Sequence, residues 1–239
     1  MATPVTRGQQ VPSLTTAAAA ALAICGTIGW AAPEAMLEAY GFPVAASPAA
    51  MLRQASAWQL VSALVLLAGL EGAKGAAVAA LALSAVCTLA CIPVNDFFGK
   101  PRSQGVGSVV LLLFLGKLTS SDKLTSHVAS GVLLVTGLLI HLMPHQTAEL
   151  YEFSPETLTP LTLSLLGWMG ATLVCTGVYV AALANGLEQK HAFVGAMACG
   201  AALAFKWCCT EADPLGVPGV VGLAWGFGQV GLASLALKP

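Results

Sequence analysis

The chain has 239 residues, of which 57% are apolar, only 9% are Asp, Glu, Lys or Arg, and 25 are glycine. A soluble domain carries about 25% charged residues, so ten basic and eleven acidic side chains cannot cover a water-facing surface of this size. The net charge of −1 leaves no electrostatic footprint for nucleic acid. A mean hydropathy of +0.82 excludes a disordered tail or a secreted disulfide scaffold, and the composition is that of an integral membrane protein.

A membrane-crossing helix needs about 20 predominantly apolar residues. Eight segments qualify in chain order after a polar tail over 1–11: 12–32, 54–73, 75–95, 104–120, 125–143, 160–184, 190–209 and 217–237. Period-2 alternation is absent, which argues against a transmembrane β-barrel. The first segment is longer than the apolar core of a signal peptide and is read as a structural helix; import into a plastid or mitochondrion would need a targeting segment ahead of Met1. Eight spans put both termini on one side, with Arg7, Lys74, Lys117, Lys123, Lys190 and Lys238. The other side carries Arg53, Lys100 and Arg102, with Lys206 near a helix end, and most of the acids. Lys/Arg bias sets orientation, so both termini are expected in the cytoplasm, stroma or matrix.

The chain repeats itself. Pro33, Glu38, Tyr40 and Phe42 recur as Pro144, Glu149, Tyr151 and Phe153 at an offset of 111, and Trp58 pairs with Trp168 at 110. Cys91, Asp96, Gly99 and Pro101 recur as Cys208, Asp213, Gly216 and Pro218 at 117. Three blocks in one order predict a tandem of two four-helix units, 12–120 and 125–237, whose even span number makes them parallel. Their pseudo-twofold axis then lies along the membrane normal. Ser47-Pro48 and Ser154-Pro155 suit an N-cap followed by Pro at the first helical position, and the extra residues of the second unit are expected near Asn185–Gln189. Pro33 and Pro144 at a helix end, Tyr40-Gly41-Phe42 and Arg53 ahead of a Gly/Ala-rich helix make each unit resemble the small four-helix DoxX-like membrane proteins. The second unit departs from that pattern, with Glu152 in place of the Gly and no Arg before Trp168. The resemblance implies a fold and little chemistry.

Ionisable residues in membrane helices are functional candidates, but the Gly and Pro beside Asp96 and Asp213 favour turns, and Lys206 can snorkel toward Glu211 and Asp213. The seven cysteines include no C-x-x-C. Cys87/Cys91 share a helix face and Cys208-Cys209 are adjacent, yet buried Cys behaves mostly as a small hydrophobe and four zinc ligands do not converge. His127 and His141 lie about 21 Å apart along one helix; only His191 remains in another span, which excludes a di-haem site. His127, His141, His191, Gln59 and Gln229 are admissible magnesium ligands for chlorophyll, each competing with an ordinary helix-end or interhelical role. Gly219, Gly222 and Gly226 form a small-residue face for helix packing. No catalytic constellation is present. The expectation is a non-catalytic accessory or scaffold subunit of a larger energy-transducing membrane complex, in contact with lipids and neighbouring subunits. A thylakoid photosystem with chlorophyll or carotenoid contact is preferred to a respiratory complex. The alternatives are a transporter with a path between the repeats, or a quinone- or thiol-linked oxidoreductase using the Cys pairs.

Overall fold

The computed structural model of the chain describes residues 7–99, 105–112, 122–211 and 220–237. Most of these residues are helical, and no strand occurs among them. The helices are α1 (Arg7–Ala31), α2 (Pro33–Ala39), α3 (Ala46–Ala68), α4 (Ala73–Ala90), α5 (Ile92–Phe97), α6 (105–112), α7 (Asp122–Leu142), α8 (Pro144–Leu150), α9 (Pro160–Ala184), α10 (Gln189–Thr210) and α11 (Val220–Leu237). Six helical stretches among the described residues are long and apolar enough to cross a membrane: Leu14–Ala31, Ala46–Glu71, Ala73–Ala90, Lys123–Leu142, Pro160–Ala184 and Gln189–Thr210. Gly222–Leu237 is a shorter apolar helix, and the expected spans 104–120 and 217–237 run partly outside the described residues. The chain is an all-α integral membrane protein.

Bulky apolar side chains stand outward on several helices, and alanines pack inside beside larger residues such as Leu37, Tyr179 and Phe193. Val86, Val110, Val135 and Phe227 are 60–65% exposed, whereas the core holds Ala18, Ala19, Ala76, Ala77, Ala129 and Ala192, all at 5% or less. Lipid is as apolar as Leu, so such helices associate through close packing and not through apolar burial. At the tightest crossing, α7 meets α9 backbone to backbone: a Cβ added at Gly137 would lie 2.8 Å from the Gly170 carbonyl oxygen, and one at Gly170 would lie 2.7 Å from that of Gly137. α1 crosses α3 at Gly26, where a Cβ would lie 2.9 Å from the Ser56 carbonyl oxygen. α3 and α9 pack against each other between these two pairs.

The repeated Pro-to-Phe blocks have one backbone conformation. Pro starts a seven-residue helix in each, Tyr40 (φ −88°, ψ −1°) and Tyr151 (φ −85°, ψ 4°) close it, and Phe42 and Phe153 donate back to Leu37 and Ala148 at 2.9 and 3.0 Å. The residue between them is left-handed in both, Gly41 at φ 75° and Glu152 at φ 56°. The two Ser-Pro steps differ from expectation. Ala45 caps α3, so Ser47-Pro48 fall within its first turn, where Pro is tolerated. Ser154-Pro155 opens only a 3₁₀ turn because Pro160 follows: Thr159 caps α9, and its Oγ1 accepts the Thr162 amide at 3.1 Å. The expected span 75–95 breaks at Cys91, since Pro93 cannot donate to the preceding turn. The added length of the second half lies in α9 itself, which runs on to Ala184 while the matching stretch of α3 has turned 3₁₀ at Gly69.

Candidate functional site

The candidate site grows out of the α3–α9 contact. Ser62 Oγ and Thr176 Oγ1 share a hydrogen bond of 2.6 Å, and the buried Tyr179 hydroxyl donates to the Leu66 carbonyl at 3.4 Å. Gly69 makes room for the Tyr179 ring, which a Cβ there would strike. The glycine-mediated α7–α9 crossing brings His141, at the end of α7, against Gly167. His141 Nδ1 lies 3.0 Å from the Gly167 carbonyl oxygen. A carbonyl only accepts, so Nδ1 carries the proton and Nε2 keeps a lone pair. That nitrogen is buried without a hydrogen-bond partner.

His141 borders a 90 Å³ cavity that Gln59, Gln229, Trp168, Trp207 and Trp225 also line. Gln59 Oε1 and Gln229 Oε1 are buried without a partner as well. A 50 Å³ cavity adjoins it through Gln59 and the same three tryptophans, and extends to Tyr40, Phe42 and Ser164. The tryptophans meet edge to face, Trp168 with Trp207 at 5.6 Å and with Trp225 at 6.3 Å, an arrangement that aromatic quadrupoles favour. A polar chain fixes the cluster: Trp207 Nε1 donates to Ser164 Oγ (2.7 Å), Ser164 Oγ donates to Glu211 Oε2 (2.9 Å), and Lys206 Nζ reaches Glu211 Oε1 (3.1 Å). The expected snorkelling of Lys206 toward Glu211 is thus present. Beside the site, outside the spans, burial pushes the Tyr40 hydroxyl above its ordinary range. The neighbouring Cys25 thiol adds to this and a hydrogen bond with Trp225 opposes it.

Three of the five candidate pigment ligands, His141, Gln59 and Gln229, therefore converge on one space. The other two do not join them: His127 is exposed on α7, and His191 is exposed at the start of α10, with Nδ1 3.8 Å from Glu188 Oε2. Whole-ligand pockets run about 300–1,000 Å³, so a chlorophyll ring does not fit the interior space that His141 borders. His127 and His191 face outward.

Among the repeat residues, Cys91 is buried one helical turn from the buried Cys87. Asp96 is exposed at the end of α5, and its carbonyl accepts the Gly99 amide at 3.1 Å in a turn where Gly99 has φ 79°. Cys208 is half-buried, Cys209 exposed. Pro101, Asp213, Gly216, Pro218 and Gly219 lie outside the described residues. Gly222 and Gly226 are spent inside the chain, the first against Cys208 and Trp207 and the second against the Phe205 ring. No group of three or more His, Cys, Asp or Glu that could hold a metal occurs among the described residues.

Sequence reasoning missed the Gly137–Gly170 crossing and the tryptophan cluster. Gly26 and Gly137, at the repeat's own offset of 111, were the available signal for the crossings. Compared with known proteins, the chain matches no family model, no curated protein and no solved structure.

Proposed function

We propose that this chain is a non-catalytic accessory or scaffold subunit of a larger energy-transducing membrane complex, built as two tandem DoxX-like four-helix units in parallel orientation. The observation that carries this reading is an uncharged interior under an apolar outer surface. The interior is apolar, with alanines packed beside Leu37, Met51, Tyr179 and Phe193, no Asp, Glu, Lys or Arg is among the buried residues described, and bulky apolar side chains also stand outward on most of the long helices. Such a body offers grip to lipids and neighbouring subunits.

The two-unit reading draws support from the matched Pro-to-Phe blocks, from Gly26 and Gly137 at corresponding helix crossings, and from corresponding cavity linings. Tyr40, Ser164 and Trp168 border one cavity, and their partners Tyr151, Gln54 and Trp58 border another. A transport path between the units would have to pass the hydrogen-bonded α3–α9 contact, which leaves that alternative less room. Lys/Arg bias puts both termini on the cytoplasmic, stromal or matrix side. Within this reading a thylakoid photosystem is the preferred complex, with chlorophyll attached from outside at His127 or His191 and carotenoid or lipid along the outer faces.

Gentle extraction from the native membrane, native electrophoresis and an absorption spectrum test it. The expected result is co-migration with other membrane subunits in a band larger than the chain alone. A monodisperse monomer with no accompanying subunit would overturn the scaffold reading, and a colourless complex would remove its pigment-bearing form.

A further inference from the structure

Other faces of α3 and α9, with α4 to α7, enclose a separate cavity of 200 Å³. Its wall includes Gln54, Ser84 and Asn95, which are 8%, 4% and 5% exposed. Gln54 Oε1, Ser84 Oγ and Asn95 Oδ1 are all buried with no hydrogen-bond partner among the described residues. A buried polar group left unpaired destabilises a fold, and three around one space need a shared reason. Packing alone does not supply it. Ser164, which corresponds to Gln54 at the offset of 110, has its hydroxyl fully used between Trp207 and Glu211. Gln54 has the longer side chain and greater bonding capacity, and uses none of it.

We infer that this cavity binds the oxygen-bearing head of a neutral, lipid-soluble amphiphile, with Gln54, Ser84 and Asn95 as its hydrogen-bonding partners. Among the described residues the wall contains no Asp, Glu, Lys, Arg or His, so these residues offer a charged head no compensation in a low-dielectric site. Carboxamides and a hydroxyl can each donate or accept, which suits an alcohol or a ketone. Trp58 and Tyr151 supply flat apolar walls beside them. Leu111 belongs both to the wall and to the outer surface, at 56% exposed, so the cavity is reached from the lipid side past α6. At 200 Å³ it lies below the range of whole-ligand pockets, and it takes the head while the chain stays in the bilayer. This inference concerns a site separate from the tryptophan cavity and does not rest on the accessory-subunit reading.

The full chain in lipid nanodiscs, labelled with a diazirine-bearing hexadecanol, tests it. Cross-links are expected on peptides containing Trp58, Asn95 or Tyr151. Excess hexadecanol should suppress them and hexadecane, which lacks a head, should not. Gln54→Leu and Asn95→Leu should each cut the competable labelling about tenfold while leaving the unfolding midpoint unchanged or raised, because no protein hydrogen bond is lost. Should either variant fail to fold, Ser84→Ala replaces it with the same expectation on labelling. Suppression by a decyl-substituted benzoquinone in place of the alcohol assigns a carbonyl head and supports the site equally. Equal suppression by hexadecane, cross-links confined to outward-facing residues, or labelling unchanged in the folded variants would each overturn the inference.

Discussion

At the scale of single residues, the most constrained positions are those where a backbone meets another backbone. Gly170→Ala would place a methyl 2.7 Å from the Gly137 carbonyl oxygen, and a helix backbone cannot yield as a side chain can. The expected loss is about 1–3 kcal/mol, read as a lower unfolding midpoint of the detergent-solubilised protein. Glu152 presents the opposite case. It holds the left-handed conformation that Gly41 holds in the first block, and an L side chain there costs roughly 1–2 kcal/mol. Glu152→Gly should therefore stabilise the chain, by less than that because glycine also gains freedom when unfolded. A scan of unfolding midpoints distinguishes this from no effect. Tyr40 and Tyr151 have hydroxyls raised above their ordinary value, chiefly by burial. A phenol whose folded pKa is raised contributes stability that is complete below its unfolded value of about 10 and is lost as pH rises through the folded one. Stability attributable to these two residues should be flat from pH 7 to 9 and fall above about pH 10, in a profile that Tyr40→Phe with Tyr151→Phe flattens.

At the scale of elements, the hydrogen bonds between helices separate positions that hold the fold from positions that do not. Ser164→Ala removes the acceptor of Trp207 Nε1 and the donor to Glu211, leaving two polar groups unpaired on α10 and its end. A loss of about 1–3 kcal/mol is expected, together with a red-shifted, broadened tryptophan emission as the Trp168–Trp207 contact loosens. The long helices and their breaks at Pro33 and Pro144 were legible in the sequence, because apolar length and proline act locally. Cap positions were less so. Ser154-Pro155 and Thr159-Pro160 carry the same local signal, and only the packing of α9 decides which one starts the helix. Likewise His141, Gln59 and Gln229 could be named as polar groups inside spans, but periodicity cannot say that they face one cavity while His127 and His191 face outward.

At the scale of the whole molecule, the two halves are joined by the α3–α9 contact, by α4 against α7, and by the Ser154 amide donating to the Phe98 carbonyl at 2.7 Å, beside stacked Phe98 and Phe153 rings. If each half is a unit, segments 1–121 and 122–239 expressed as separate chains in one membrane should co-purify. Ser62→Leu with Thr176→Leu, which replaces the central hydrogen bond by bulk, should weaken that association by tenfold or more, since about 1.4 kcal/mol suffices. Failure of the intact pair to associate, with each half recovered folded, would count against two units.

The sequence by itself determined the class of the molecule. Twenty or so apolar residues in a row have one low-energy fate in lipid, where every backbone polar group must be satisfied within its own helix, and the scarcity of charge follows from that fate. The internal offsets, too, are visible without any structure. What only the tertiary structure decided is where the few polar side chains point. On three successive helices, Gln54, Ser84 and Asn95 share a cavity, while Ser164, which corresponds to Gln54, is bound up in a network with Trp207 and Glu211. In a chain whose helices are apolar on all sides, no stripe marks the inward face, and the faces are chosen by glycine contacts that depend on which backbones approach each other.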